Sequence, residues 1–254
     1  RISAKLDFLP LKDGKISVSS AQLFGLNANL YKQTAKSPAN FQFVLDSLAS
    51  KDTTSHKPLD LHIGSLIIRH GAIAYNQRDV ASRPGVFSPK HLGISDLSAH
   101  IILSHLTDDA IHLTVKKIAM NDKSGLQLKK LQFKVDADHQ QATLSDFVIE
   151  LPHSLLQLDN LHATYHMEGK NLIMPSLQYE GGIKPSKVTL ADVASLAPAL
   201  RKFDDALMLD LRFSGTSTSA RIHRLNLKSR SGSILLKANG KASDWDRNLR
   251  WNAN

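Results

Sequence analysis

Cysteine is absent from this 254-residue chain, which excludes disulfide bonds and thiolate metal sites. Aromatic residues make up only 6% of the sequence, and they form no cluster suited to stacking nucleobases. Apolar runs extend over only a few residues, far short of a helix that crosses a bilayer. What remains is a chain with 42% hydrophobic residues, enough to build a folded core.

The balance of charge is basic. A formal net charge of +9 favours anionic partners such as lipid head groups, nucleic acid or acidic polysaccharide. The basic residues are scattered, however, and the lysine pairs Lys116-Lys117 and Lys129-Lys130 stand alone. Because no block of like charge resembles a nucleic-acid-binding arm, we expect a soluble basic surface and no nucleic-acid partner.

One short frame of eight residues recurs along the chain. It consists of two apolar residues separated by any one residue, then two non-apolar residues, then two further apolar residues separated by any one residue. Its copies are centred on the pairs Ser19-Ser20, Gly64-Ser65, Ser95-Asp96, Lys116-Lys117, Lys129-Lys130, Ser145-Asp146, Asp159-Asn160 and His223-Arg224. Period-two alternation is typical of strands with one buried face. The frame therefore predicts strands that are interrupted at a polar pair.

The polar pair has two interpretations. Gly64-Ser65 or Asp159-Asn160 would suit a two-residue hairpin turn, but two lysines would not, since such turns need positive φ. A bulge that absorbs one extra residue keeps both halves of the strand on one face. The frame thus favours bulged strands, and bulges curve a sheet.

Helical patterns are few. The stretch "NFQFVLDSLAS" and the stretch "TLADVASLAPAL" each place apolar residues on one helical face, with Thr189 and Asp192 as a capping pair in the second and Pro198 ending or kinking it. Two short helices cannot cover so much sheet, so the apolar face needs a second layer, closure on itself, or a ligand. A β-sandwich or β-solenoid packed against itself remains an alternative.

Nothing in the sequence indicates catalysis. His100, His105 and His112 have no metal-ligand spacing, and no nucleophile elbow or phosphate-binding glycine loop occurs. A glycosidase-type carboxylate pair depends on a separation that sequence does not give. We expect a protein that is not an enzyme and holds neither a metal nor a cofactor.

Five stretches together resemble the AsmA-like superfamily, in particular TamB-type translocation and assembly module proteins of the Bacteroidetes kind. They are "LQLDNLHATY", "IHLTVKKIAM", "LDLHIGSLIIRHGAIAYNQ", "NFQFVLDSLASKD" and "LADVASLAPALRKFDDALMLDLRFSGT". The resemblance implies an all-β fold in which a curved, repetitive antiparallel sheet forms an elongated, taco-like groove with an apolar interior, plus one or two short helices. It implies one continuous section over residues 1–254, an internal piece of a longer chain.

The resemblance also implies a role. Such proteins lie in the periplasm, are anchored in the inner membrane, and resemble conduits that carry phospholipid to the outer membrane and support outer-membrane biogenesis. Phospholipid acyl chains are the expected partner, and an outer-membrane β-barrel assembly protein would bind through regions outside this chain. Acyl chains would lie along inward apolar residues, each buried methylene contributing about 0.8 kcal/mol.

The repeat frame supplies the candidate site residues. The expected groove lining is Leu113, Val115, Ile118, Leu126, Leu128, Leu131, Phe133, Leu144, Phe147, Ile149, Leu158 and Leu161. The two lysine pairs, Lys116 with Lys117 and Lys129 with Lys130, are expected at the groove rim, where they would attract anionic head groups.

Three other hypotheses stay open. The first is a dry structural β-repeat that serves adhesion or helps outer-membrane protein assembly without binding lipid. The second is a scaffold that pairs with barrels through exposed strand edges. The third is a polysaccharide-active β protein, which would need carboxylates beside exposed aromatics, although Trp245 and Trp251 are the only tryptophans.

Overall fold

The structure is a computed structural model that describes residues 1–6, 16–43, 60–107, 109–169, 171–203, 205–244 and 250–254. Strands dominate these residues, and among them one large sheet of 15 strands contains nearly all of the strands. In the described part of the chain no helix reaches seven residues. The all-β, curved-sheet architecture predicted from the sequence is confirmed.

The strands follow one another along the chain and, for the most part, along the sheet. Their bounds are β1 (Ile2–Leu6), β2 (Ile16–Phe24), β3 (Asn27–Lys32), β4 (Asp60–Gln77), β5 (His91–Thr107), β6 (Ile111–Asp122), β7 (Gln127–Ala137), β8 (Gln141–Glu150), β9 (Leu155–Gln157), β10 (Leu161–Thr164), β11 (Met167–Glu168), β12 (Asn171–Leu172), β13 (Gln178–Thr189), β14 (Ala206–Thr216), β15 (Ser219–Ser229), β16 (Leu235–Ser243) and β17 (Arg250–Ala253). The sheet order is β1-β2-β4-β5-β6-β7-β8-β10-β13-β14-β15-β16-β17, with β3 beside β4, and β9 between β8 and β13. Strands β11 and β12 form a separate two-stranded sheet.

Strand direction differs from the expectation in one place. The pairs are antiparallel except that β2 and β3 both run parallel to β4, so the sheet is mixed. Strands β2 and β3 meet at Gly25, whose φ of +65° suits glycine because it lacks a Cβ atom. Gly25 N–H donates to Arg69 O, and Ala72 N–H donates to Leu26 O, so the break stays hydrogen-bonded to β4.

The polar pairs of the repeat frame are bulges within strands, as the sequence predicts. On β6, Val115 lies opposite Phe133 and Ile118 lies opposite Leu131. A step of three residues along β6 therefore corresponds to a step of two along β7. The one extra residue of β6 is accommodated in a bulge at Lys116 and Lys117. Corresponding register shifts occur beside Gly64-Ser65, Ser95-Asp96, Lys129-Lys130, Ser145-Asp146 and His223-Arg224.

Several bulges contain a residue in the left-handed backbone region. Asp96 and Asp146 have φ of +52° and +53°, and His70, in a further bulge of β4, has φ of +54°. Aspartate tolerates this region better than most residues, whereas histidine at φ > 0 is less common. The pair Asp159-Asn160 departs from the pattern because it separates β9 from β10 and lies in neither strand.

Neither predicted α-helix is found among the described residues. Of the first, the structure describes only the start, where Gln42 and Phe43 are helical, and residues 44–59 lie outside the described residues. The second stretch is helical, but it forms two short 3-10 helices, Leu190–Val193 and Pro198–Lys202, and not one continuous α-helix. Thr189 makes no side-chain capping bond, because Asp192 is bound instead by the turn before β9.

That turn shows what displaces the helix. One carboxylate oxygen of Asp192 accepts from His153 N–H at 2.8 Å and from the Ser154 hydroxyl at 2.7 Å, and the other lies 3.1 Å from His153 Nδ1. Thr189 also turns toward this site, since its hydroxyl donates to His153 O at 2.9 Å. Thr189 and Asp192 thus make their side-chain hydrogen bonds to the turn at His153 and Ser154. The same side chains are therefore not available to cap an α-helix that begins at Thr189.

Two connections meet at one side of the sheet. Phe87 N–H, in the loop 78–90 between β4 and β5, donates to Ser195 O at 2.9 Å, and the Arg201 guanidinium donates to Gly85 O. Ser195 and Arg201 belong to the segment 190–203 between β13 and β14. Because β6, β7, β8, β9 and β10 lie between these strands in the sheet, the contact spans the ends of the intervening strands.

Candidate functional site: the apolar face of the sheet

Apolar side chains form three rows that cross the sheet in register. The first row is Val18, Ile63, Leu103, Leu113, Val135, Leu144 and Leu161. The second row is Ala21, Leu66, Ile101, Val115 and Phe133, with Phe147 beside it. The third row is Leu23, Ile68, Ala99, Ile118, Leu131, Ile149 and Leu156.

Directly opposed residues of paired strands point to the same face of a sheet. The three rows therefore lie on one face, called the apolar face, from β2 to β9 and β10. Apolar pairs continue beyond β10, since Ile183 lies opposite Leu211, which lies opposite Leu225. The bulges are what keep the rows aligned, because a regular strand would turn a residue three positions away to the other side.

Little covers the apolar face. Val115 is only 2% exposed, but most members of the rows are half-buried, and Phe133 and Phe147 are among these. Within the described ranges, the only other sheet is the small pair β11 and β12, and the helical segments are single 3-10 turns. The side chains of the rows pack against neighbours in their own sheet and remain partly open on the side that faces away from it.

Most residues expected to line a groove lie on the apolar face. Nine of them belong to the three rows: Leu113, Val115, Ile118, Leu131, Phe133, Leu144, Phe147, Ile149 and Leu161. Leu128 lies opposite Met120, next to the third row. Leu126 precedes β7 in the turn, and Leu158 follows β9, where it bridges to Ile183.

The expected lining omits the members of the rows on β2, β4 and β5, together with Val135 on β7, Leu156 on β9 and the apolar residues of β13 to β15. Val18, Leu66 and Ile101 are examples that belong to the same rows as Val115. The frame around Ser19-Ser20 and Gly64-Ser65 carries the signal for β2 and β4, because it matches the frame of β6. Pairing across the sheet, which the frame does not reveal, is what joins these strands into one surface.

The lysine pairs lie in the bulges and not at a rim of strand ends. Lys117 lies opposite His100, and Lys130 lies opposite Glu150, on the face opposite to the apolar rows, called the polar face. Lys116 and Lys117 are in mid-strand on β6, away from the strand ends, and their contact with head groups stays a prediction. Lys129 is near the start of β7, where its ammonium group donates to Pro152 O at 3.2 Å.

A shallow hollow of about 170 Å³ lies on the apolar face between β7, β8, β10 and β13. Its walls include Val135, Leu144, Leu161 and Tyr179. Ala142 and Ala163 also line the hollow, and the surface exposed in it is almost wholly carbon. Such a lining suits a hydrocarbon segment and offers few groups that would fix a polar ligand.

Two carboxylates on the polar face, those of Asp146 and Asp136, are engaged in surface pairs. Asp146 Oδ2 lies 2.7 Å from Lys134 Nζ, and this hydrogen bond, with the lysine charge, lowers the pKa of Asp146. Asp136 Oδ1 lies 2.7 Å from His112 Nδ1. Over the residues that the structure describes, no three His, Asp or Glu side chains form a group able to hold a metal ion.

Comparison with known proteins adds no identification. No protein-family model, curated protein or solved structure matches the chain. Among the described helices, none is both long and apolar enough to cross a membrane.

Proposed function

We propose that the apolar face binds phospholipid acyl chains, and that this protein carries phospholipid between the inner and outer membranes in outer-membrane biogenesis. The observation that carries the proposal is the set of three in-register apolar rows without a second layer among the described residues. An uncovered apolar surface of this extent is typical of a ligand-binding or interaction site. The resemblance to TamB-type AsmA-like proteins of the periplasm, anchored in the inner membrane, supports the same function.

The rows suit a sliding ligand. The rows consist of Leu, Ile, Val, Ala and Phe, so neighbouring positions offer similar apolar surface to an acyl chain. Burial of apolar surface stabilises a complex by about 25 cal/mol per Å² and has no directional requirement. An acyl chain would therefore move from strand to strand across a nearly level free-energy profile, while its head group stays in water.

Co-purified lipid tests the proposal. Native mass spectrometry and lipid extraction of the protein are expected to detect bound phospholipid, and the Leu131→Asp/Phe147→Asp variant is expected to lose it. Both side chains are half-buried on the apolar face, so the substitutions place charges on the surface proposed to bind acyl chains. They avoid fully buried positions such as Val115, where a charge would disrupt the fold. Circular dichroism checks that the variant remains folded.

A matched control comes from the other face of the same strand. Val148 lies opposite Gln132 on the polar face, next to Phe147 in sequence. Val148→Asp introduces the same charge into β8, so it should leave lipid binding intact. A folded parent protein that carries no lipid and takes up no fluorescent phospholipid would refute the proposal.

A scaffold that binds through strand edges is the second candidate, because apolar side chains are exposed near the last strands of the sheet. Leu235 on β16 is 68% exposed and Trp251 on β17 is 76% exposed. Both lie where a further strand could pair with the sheet, as in recognition by strand addition. Leu235→Lys/Trp251→Lys would weaken such an interaction with an outer-membrane assembly protein and leave lipid binding on the apolar face unchanged.

A further inference from the structure

The polar face contains a hollow of about 510 Å³ over β10 and β13 to β16. One row of polar side chains crosses it in register: His162, Glu180, Ser214, Arg221 and Lys241. Thr164, Gln178, Thr216 and Ser219 add hydroxyl and amide groups along the neighbouring row. The lining thus combines cations, one carboxylate and several neutral hydrogen-bonding groups.

Two cations lie side by side in this hollow. Arg221 on β15 is directly opposite Lys241 on β16, and like charges in that relation destabilise a sheet. The neighbouring arginines are neutralised: Arg212 lies 3.2 Å from Asp159 and Arg224 lies 2.9 Å from Asp210. Within the described residues, Arg221 and Lys241 have no such ion pair, so their charges are available to an anion.

Neutral donors stand beside the two cations. Ser214 is directly opposite Arg221 and its hydroxyl lies 2.7 Å from His223 Nε2. Ser219 and Thr216 share a hydrogen bond of 2.9 Å at the end of the same strands. A guanidinium, an ammonium and a hydroxyl are the groups that commonly bind the oxygens of a phosphate.

The carboxylate occupies the other end of the row. Glu180 is separated from Arg221 by one strand, so their backbones are about 10 Å apart at the usual strand spacing. A simple phosphate dianion would be repelled by Glu180, whereas a ligand with a cationic group beyond its phosphate would bind both ends. The arrangement of charges therefore selects a dipolar ligand.

We infer that this hollow binds a phosphate ester that also carries an ammonium group. Arg221 and Lys241 hold the phosphate, and Glu180 accepts a hydrogen bond from the ammonium group. The Ser214 hydroxyl donates to the phosphate while it accepts from His223 Nε2–H. This ligand is either a small soluble compound or the head group of a lipid in a membrane surface. The inference is independent of lipid binding by the apolar face, because the hollow lies on the opposite side of the sheet.

Calorimetric titration with O-phosphoethanolamine tests the phosphate contacts. Arg221→Gln and Lys241→Gln are each expected to weaken binding by at least about tenfold, the usual effect of losing a charge-assisted hydrogen bond. Lys228→Gln is the control, since it removes one charge from the same strand and the same face outside this hollow. Equal binding by the parent protein, Arg221→Gln and Lys228→Gln would overturn the inference.

Glu180→Gln tests the ammonium contact by opposite effects on two probes. It should weaken the binding of O-phosphoethanolamine and strengthen the binding of inorganic phosphate, because a negative charge next to the phosphate is removed. If both probes respond in the same direction, the ligand is not dipolar and the assignment fails.

Vesicles distinguish the two sources of the ligand. Co-sedimentation with phosphatidylethanolamine vesicles that is lost in Arg221→Gln but kept in the apolar-face variant Leu131→Asp/Phe147→Asp supports a membrane head group. Binding of free O-phosphoethanolamine without any vesicle binding supports a soluble ligand. Vesicle binding that is lost in Leu131→Asp/Phe147→Asp but kept in Arg221→Gln, with no binding of free O-phosphoethanolamine, overturns the inference and leaves only the lipid-binding proposal.

Discussion

The rings of Phe133 on β7 and Phe147 on β8 stack on the apolar face, with centroids 6.3 Å apart and planes inclined by 28°. Phe147 follows the Ser145-Asp146 bulge directly, and Asp146 takes up the positive φ. If these residues formed a regular strand without the bulge, the step of three from Leu144 would turn the ring of Phe147 to the polar face. The contact between the rings therefore depends on a bulge whose own residues point elsewhere.

A double-mutant cycle measures this contact. Phe133→Leu and Phe147→Leu together should show a coupling of about 0.5–1.5 kcal/mol in the free energy of unfolding, the usual value for aromatic pairs. Urea unfolding of the parent protein, the two single variants and the double variant provides the four values. Additive losses would mean that the rings do not interact.

Deletion of a residue from a bulge should be tolerated better than deletion elsewhere in the strand. Removing Lys117 converts the step from Val115 to Ile118 into regular alternation, so both remain on the apolar face. Removing Thr114 instead turns Leu113 to the polar face. We expect the first variant to remain folded and the second to lose most of its stability, as judged by circular dichroism and urea unfolding. Equal stability of the two would contradict the bulge assignment.

Glycine should stabilise the protein at one bulge and destabilise it at another. His70 has φ of +54°, a conformation that glycine adopts without steric cost, so His70→Gly should raise the free energy of unfolding by about 1 kcal/mol. Lys117, where φ is not positive, is the comparison, and Lys117→Gly should lower stability by about 0.5–1 kcal/mol. Thermal and urea unfolding of both variants measure the signs, and destabilisation by both would show that His70 is not strained.

Asp192 should make stability depend on pH in acid. Burial is the largest influence and raises its pKa, but hydrogen bonds from Ser154 and from the backbone and ring of His153 outweigh it, so the pKa is lowered. A carboxylate with a lowered pKa stabilises the folded state above the unfolded pKa of about 3.9, and this contribution is lost as pH falls through the folded value. Its side chain is only 5% exposed, which limits solvent screening.

Asp192→Asn should therefore lower the free energy of unfolding by about 1–3 kcal/mol at pH 7, because it leaves buried donors poorly paired. The difference from the parent protein should shrink as pH falls below about 4. Asp109→Asn is the control, since Asp109 pairs with His139 at the surface and its side chain is 81% exposed. Urea unfolding at pH 7 and pH 3 measures both, and a difference that is as large at pH 3 as at pH 7 would contradict the assignment.

The bulged strands could be predicted because their cause is local. A polar pair between two alternating segments has one solution that keeps Val115 and Ile118 on the same face, and that solution needs no knowledge of the partner strand. The all-β class follows from the same frame, repeated along the chain. The frame also indicates which residues share the apolar face, as for Leu131 and Ile149, which lie opposite each other.

What sequence could not show depends on contacts between distant segments. The parallel pairing of β2 with β4 is determined across a long connection. Asp192 is drawn to His153 and Ser154, which no helix-capping pattern reveals. The face on which the lysine pairs lie depends on their strand partners, and pairing with His100 and Glu150 puts Lys117 and Lys130 on the polar face.

Photo-crosslinking along one strand tests most directly whether the apolar face binds acyl chains. A photoreactive benzoylphenylalanine replaces, one at a time, the consecutive residues Leu131, Gln132, Phe133 and Lys134 of β7, and each protein is irradiated with phospholipid. The account predicts lipid adducts at 131 and 133, whose side chains lie on the apolar face, and none at 132 and 134. Equal labelling at all four positions, or no labelling at 131 and 133, would contradict it.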